Sequence, residues 1–525
     1  MEKESLWNIP RKWSWSKISN LGEVIAGGTP SSKEPTYWGG SISWISPADL
    51  TGYTKKRIDK GNKSITESGL KNSSAKVMPA GSVHFSSRAP IGYVAISSKP
   101  LATNQGFKSL IPAPGIFNEF VYYYLKASKS LAEERASGTT FLELSGKSFG
   151  LLPIPIPPLN EQKRIVAKIE ELFSELDSGI TALKTAREQL KLYRQAVLKH
   201  AFEGKLTAKW REENADQLET PEQLLARIQQ ERQTRYQQQL EEWQAAVKTW
   251  KANGKEGKKP GKPGEPKSIE LLSSSEIQKL FSPPQGWAFF RLSSFIERID
   301  AGKSFKCDER EPCKNEIGVA KVSAVTWGEY NENESKTCID PSKVNPDYFI
   351  KVGDFILSRA NTIDLVGACV IAKKVTKKIM LSDKTLRIVF KNINDWYVLQ
   401  YLRSVYGRNE IMRRSTGNQE SMRNIGQERI RNIIIPICSK NEMLKVVQIM
   451  NEKLEICSIL SNDIGLQIQK AETLRHSILK KAFSGKLVPQ DPNDEPASEL
   501  LARIQAEKAA ATAQQKTVAK KTARK

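Results

Sequence analysis

The sequence predicts an α+β protein built as a tandem repeat: two mixed α/β globular parts, each followed by a long helix, the two helices pairing as an antiparallel coiled coil. Three observations predict it. Blocks of sequence recur in the same order, long stretches carry apolar residues at steps of three and four, and the rest alternates short strand-like runs with turn residues. At 525 residues the chain exceeds a single compact core and suits about three or four domain-sized pieces.

The repeat comes first. Leu198–Leu206 (LKHAFEGKL) recurs 281 residues later as Leu479–Leu487 (LKKAFSGKL). Asn160-Glu161 and Asn441-Glu442 keep that spacing, as do Ile154–Ile156 and Ile435–Ile437. Nearer the start the spacing is 274, matching Trp13, Lys17, Ile18 and Gly28 with Trp287, Arg291, Leu292 and Gly302. Leu224–Gln229 (LLARIQ) returns as Leu500–Gln505.

Each globular part reads as mixed α/β. Runs such as Gly81–Ser87 (GSVHFSS) and Gly353–Ser358 (GDFILS) are strand-like and bounded by turn residues. Helical stretches follow near Phe117 to Lys129 and Trp396 to Arg414, and Tyr122 to Tyr124 in the first read as core. Trp13 and Trp287 read as packing anchors.

The long helices carry a seam. It runs from Ile165 through Ile169, Leu172, Leu176, Ile180, Leu183, Ala186, Leu190, Tyr193 and Val197 to Ala201. The second copy steps likewise from Val446 to Ala482. Pro158 and Asn160 mark the first start, and Gly204 and Gly485 the two ends. A helix of about 40 residues is about 60 Å long and cannot bury such a stripe alone. Its obvious partner is the other copy, while Lys168, Glu171 and Lys184 lie on the outer face.

A further helical stretch, rich in Gln, Glu and Arg, runs from Pro221 to about Lys251. Asn253 to Lys267, rich in Lys, Gly and Pro, reads as a flexible linker. The tail after Glu507 has Lys and Arg but no acids and reads as disordered.

Composition narrows the function. The formal net charge is +23, from 81 Lys+Arg against 58 Asp+Glu, which favours a polyanionic partner. Cys307, Cys313, Cys338, Cys369, Cys438 and Cys457 form no CxxC pair, so they read as reduced thiols of a cytoplasmic protein, not as metal ligands. His84, His200 and His476 leave little for metal or triad chemistry. The start lacks the apolar stretch of a secretory leader, and no run is long enough to span a membrane.

Two divergent globular parts joined to similar helices suit a reader of duplex DNA with two unlike half-sites, the helices acting as a ruler. At this point the chain resembles the specificity subunits of type I restriction–modification systems. The resemblance rests on Pro155–Gln162 (PIPPLNEQ), the repeated AFxGKL and Gly81–Gly92 (GSVHFSSRAPIG). It implies two target-recognition domains, at 1–157 and 284–438, and two conserved helical regions, at 158–206 and 439–506. A helical spacer at 207–252, a linker at 253–283 and a basic tail at 507–525 complete the division. It also implies partners: double-stranded DNA, two methyltransferase subunits, and restriction/motor subunits. This chain would bind no cofactor, with S-adenosylmethionine, ATP and Mg on those partners.

No catalytic motif replaces that reading. There is no NPPF/Y-like methyltransferase motif. Gly146-Lys147-Ser148 and Gly302-Lys303-Ser304 mimic the end of a P-loop, but Phe141 and Glu297 stand where its first glycine is needed. Pro346-Asp347 lacks the (Asp/Glu)-x-Lys of a nuclease centre. The expectation is a non-enzymatic DNA binder, with an architectural DNA-binding or coiled-coil scaffold as the alternative.

Contacts to DNA call for Arg, Lys, Asn or Gln at groove edges and phosphates. Arg88 and Arg359 stand out, each after a strand-like run and a Ser at matching places. The pattern equally suits arginines paired to internal carboxylates. Unmatched polar loops supply the other candidates: Tyr53, Lys55, Lys56, Arg57, Asn104 and Gln105 in the first part, and Lys303, Lys306, Asn418, Gln419 and Arg423 in the second.

Overall fold

The computed structural model describes residues 7–88, 90–138, 142–266, 268–419 and 422–522, excluding the side chains of Asn418 and of 511–522. Two compact units result. One joins the chain up to Thr185 with the residues from Ile464 onward, and the other is Ala186–Asp463.

In the first unit the strands are β1 (Ser14–Lys17), β2 (Gly22–Ala26), β3 (Trp38–Ile45), β4 (Arg57–Ile58), β5 (Lys63–Ile65), β6 (Val83–Ser86), β7 (Val94–Ser97), β8 (Ala102–Thr103), β9 (Phe107–Pro112) and β10 (Pro153–Ile156). The helices are α1 (Glu67–Lys71), α2 (Asn118–Ala127), α3 (Lys129–Glu134), α4 (Gly146–Gly150) and the start of α5 (Leu159–Phe202). A five-stranded sheet has the order β2-β9-β6-β7-β4, a three-stranded one β5-β3-β8, and β1 pairs with β10. All four residues of β6 are buried, as its central place requires. Phe120 to Leu125 of α2 are buried all round, the tyrosines expected as core among them.

In the second unit α6 (Ala208–Glu213), α7 (Pro221–Ala252) and α8 (Ser274–Ile277) precede the strands. Thr220 and Gln223 form a capping box at the start of α7, with Pro221 at its first turn. Trp243 donates its indole N–H to Pro260 O (3.0 Å) and Trp250 to Gly257 O (3.2 Å). The segment expected to be a free linker therefore lies back along α7.

The strands of this unit are β11 (Ala288–Arg291), β12 (Ile296–Ala301), β13 (Cys307–Asp308), β14 (Ile317–Ala320), β15 (Ser335–Cys338), β16 (Phe355–Ser358), β17 (Ala360–Asn361), β18 (Cys369–Ile371), β19 (Lys378–Met380), β20 (Thr385–Phe390), β21 (Thr416–Gln419), β22 (Met422–Asn424) and β23 (Ile434–Ile437). They form sheets β12-β20-β16-β18, β13-β15-β14-β19 and β17-β22-β21, with β11 paired to β23. The order β12-β20-β16-β18 repeats β2-β9-β6-β7, antiparallel throughout.

The stretch expected as one helix from Trp396 is two, α9 (Asp395–Arg403) and α10 (Val405–Arg414). Ser404 separates them, its Oγ accepting from Gly407 N (3.3 Å) as a cap. After the short α11 (Gln427–Arg431), α12 (Lys440–Phe483) and α13 (Ala497–Thr522) close the chain. α13 extends to Thr522, within the tail expected to be disordered, and its Ala, Gln and Lys are strong helix formers.

The repeated AFxGKL has one job in both units. In the second, Phe202 packs edge-on against Tyr397 and Tyr401, each at 5.1 Å. In the first, Phe483 packs against Phe120 (5.4 Å) and Tyr124 (5.1 Å). Gly204 and Gly485 then turn with φ of 67° and 70°. A Cβ there would fall 2.5 Å from Pro284 Cγ or 2.3 Å from Pro10 Cγ, so only glycine fits. Trp13 and Trp287 are buried, as expected of packing anchors.

Candidate nucleic-acid interface

At one end of each large sheet the same backbone frame is built twice. Ser86 N donates to Tyr93 O (2.8 Å), and its carbonyl accepts from Gly92 N (3.1 Å). Ser358 does the same with Ala368 O and Gly367 N, both 2.8 Å. At the next position Ser87 N donates to Gly106 O (2.7 Å) and Arg359 N to Lys384 O (2.9 Å). The carbonyls of that position accept from Leu144 N (2.9 Å) and Ile425 N (2.8 Å). Each frame thus gathers a strand end, a turn and the foot of a hairpin.

This pairing corrects two matches drawn from spacing. Arg359 occupies the place of Ser87, and Arg88 that of Ala360, so the two arginines are not equivalent. Gly302 corresponds to Gly27, not Gly28. A bulge between Ile296 and Arg298 adds one residue to β12, after which Ala301 pairs with Leu386 as Ala26 pairs with Lys108. A Cβ on Gly27 would lie 1.8 Å from Asn104 O, and one on Gly302 1.9 Å from Leu381 O. The close approach lets Thr29 hydrogen-bond Gln105 and Ser304 hydrogen-bond Asp383 in equivalent ways.

In the first unit most candidates are engaged. Tyr53 donates to Arg57 O (2.6 Å), and burial, then Asp59, raises its pKa. Lys56 pairs with Glu170 and, at 3.0 Å, with Glu119; Arg57 meets Glu119 at 2.7 Å. Burial works against the Lys56 charge, but the two carboxylates outweigh it and hold its pKa above the ordinary lysine value. Glu119, likewise opposed by burial, is held below the usual carboxylate range by Lys56 and Arg57. Glu143 takes Arg88 (3.3 Å) and the buried Lys108 (3.4 Å), so Arg88 follows the internal-carboxylate pattern. Asn104 Oδ1 accepts from Gly106 N (2.9 Å) and shapes the turn. Lys55 is exposed, with no side-chain partner among the described residues.

In the second unit Arg359 Nε reaches Asn424 Oδ1 at 3.5 Å. Arg423 is spent on its own hairpin, donating to Gly417 O (2.9 Å) and Ser415 Oγ (3.0 Å). Lys303, Lys306 and Gln419 are exposed, with no side-chain partner among the described residues. The Asn418 side chain lies outside the described residues, as do Phe141 and Ala89 of the motifs above. Two residues missed from sequence join this set: Lys384, exposed in the turn equivalent to Gln105-Gly106, and Met422, 64% exposed on the hairpin. An apolar side chain on a polar loop was the available signal for Met422.

Residues 10–185 match the model of the type I restriction modification DNA specificity domain. The similarity to that family lies in the first unit. Over 178 residues it is 42% identical to the type I restriction enzyme MjaIX specificity subunit of Methanocaldococcus jannaschii, covering 33% of this chain and 41% of that one. The match thus spans less than half the length of that relative. The type I restriction enzyme EcoKI specificity subunit of Escherichia coli K12 is 23% identical over 96% of this chain and 97% of its own. A structure titled for complex assembly and conformational transition of the type I R-M system superposes with a TM-score of 0.60 at 16% identity. It covers 92% of this chain and all of that one, so the chain shares that fold. No described helix is long and apolar enough to cross a membrane.

Proposed function

We propose that this chain is the non-catalytic DNA-specificity subunit of a type I restriction–modification complex, binding a bipartite, asymmetric duplex site through two target-recognition domains. One observation carries the reading: a single backbone frame presents different side chains in the two units. Ser87 corresponds to Arg359, Gln105 to Asp383, Gly106 to Lys384 and Gly28 to Lys303. Base readout depends on side-chain donors and acceptors, so one frame with two chemistries suits two unlike half-sites. The specificity-domain match and the named specificity subunits among the relatives support the same reading. The two 44-residue helices would pair antiparallel and set the gap between half-sites. Two methyltransferase subunits, and the restriction/motor subunits with them, would dock on the helical regions and bring S-adenosylmethionine, ATP and Mg.

The test is long-read methylation sequencing of host DNA with and without the gene. Loss of a gapped, asymmetric methylated motif on deletion is expected. An unchanged methylome, with the methyltransferase expressed, overturns the reading and favours the scaffold.

A further inference from the structure

Cys307 and Cys338 stand directly opposite one another where β13 pairs antiparallel with β15. β13 is an edge strand of two residues, and among the described residues the first unit's β5-β3-β8 sheet has no strand in its place. Directly opposed residues hold their Cβ atoms about 4.5–5.5 Å apart, and a disulfide needs about 3.5–4.5 Å. An edge strand this short closes that difference by a shift of about 1 Å. Both thiols are half-buried, open to a small solute, while Cys369, Cys438 and Cys457 are buried. Cys338 donates its thiol to Asp340 O at 3.3 Å. Burial, and then the facing Cys338, hold the Cys307 thiol above its ordinary pKa, which slows but does not prevent its attack on a peroxide.

We propose that Cys307 and Cys338 are a reversible oxidation site, closed to a disulfide by a hydroperoxide, which pins the Gly302–Lys306 segment leading into β13. In the first step a cysteine thiolate attacks a peroxide oxygen; the O–O bond breaks, leaving a sulfenic acid and, from hydrogen peroxide, hydroxide. The facing thiol then attacks that sulfur, the S–S bond forms and water leaves. Two thiols are oxidised and one peroxide is reduced to two waters. The bond ties β13 to β15, and with it the loop carrying the exposed Lys303 and Lys306. Its effect on recognition rests on the proposed DNA reading of the second unit; its formation does not.

The test treats the full chain with hydrogen peroxide and maps peptides by mass spectrometry without reduction. A Cys307–Cys338 cross-link, lighter by ~2 Da than the two thiols and reversed by dithiothreitol, is expected in wild type and in Cys313→Ser. In Cys338→Ser, dimedone is expected to trap a sulfenic acid at Cys307. Both thiols remaining open to iodoacetamide, or a cross-link to Cys313 instead, overturns the site. Duplexes altered only in the second half-site then read out recognition. A change in affinity of about threefold on oxidation, absent in Cys338→Ser, is expected. A cross-link without that change overturns the regulatory part alone, and reduced protein that binds no duplex selectively overturns the DNA reading instead.

Discussion

Arg359 stands where Ser87 stands: each donates its backbone N–H to the turn and accepts from the foot of the hairpin. Ser87 is buried, its Oγ donating to Gly106 O at 3.1 Å, whereas Arg359 leans toward Asn424 and has no other side-chain partner among the described residues. Arg359→Ala is therefore expected to relax preference in the second half-site only, by about 1–3 kcal/mol of discrimination. Competition among duplexes varied one half-site at a time checks it. Equal weakening on every duplex would mark a phosphate contact.

Neighbouring lysines are expected to behave differently. Lys56 is already neutralised by Glu119 and Glu170, whereas Lys55 has no partner among the described residues. Lys55→Gln should weaken all duplexes alike and reduce the slope of log affinity against log salt by about 0.9. Lys56→Gln should leave the slope unchanged. A salt titration of both variants checks the pair, and equal slopes would show that Glu119 and Glu170 release Lys56 to DNA.

The repeat, the sheets and the long helices were legible in sequence because their signals are periodic. AFxGKL is visible because one phenylalanine and one glycine perform the same packing twice. What spacing could not reveal was the bulge at Ile296–Arg298, which shifts register by one residue without any composition signal. That shift moved Gly302 off Gly28. Ion pairs were equally hidden: Glu119 lies far along the chain from Lys56, so nothing local distinguished that lysine from Lys55.

His84 links the first unit's stability to pH. It sits on the central β6, fully buried, with Nδ1 2.9 Å from Ser109 Oγ, and burial pushes its pKa down to about 3. The unfolded chain therefore takes up a proton below pH about 6.5 that the folded chain refuses. Stability should fall by about 1.4 kcal/mol per pH unit as pH drops from about 6 toward 3. Carboxylates such as Glu119, whose pKa is held low, add their loss only at lower pH. The difference in urea unfolding between wild type and His84→Asn from pH 7.5 to 5 isolates the histidine, and the variant should lose that part of the fall in stability. Identical slopes in both proteins would contradict it.

Glu442 is a buried charge that depends on its partner. Its side chain is wholly buried, and Oε1 accepts from Arg211 Nη1 (2.5 Å) and Thr207 Oγ1 (2.7 Å). The repeat-equivalent Glu161 instead meets the neutral Gln490 (2.5 Å), and burial raises its pKa. A buried carboxylate stripped of its paired cation typically costs about 3–5 kcal/mol. Arg211→Met should reach that range in denaturant unfolding of the second unit. If the cost comes from the abandoned charge, Glu442→Gln added to Arg211→Met should restore much of it, since a neutral amide needs no counterion. A double variant as unstable as the sum of the singles would instead place the contribution in Arg211's hydrogen bond to Gly204 O (2.7 Å), which holds the turn after Phe202.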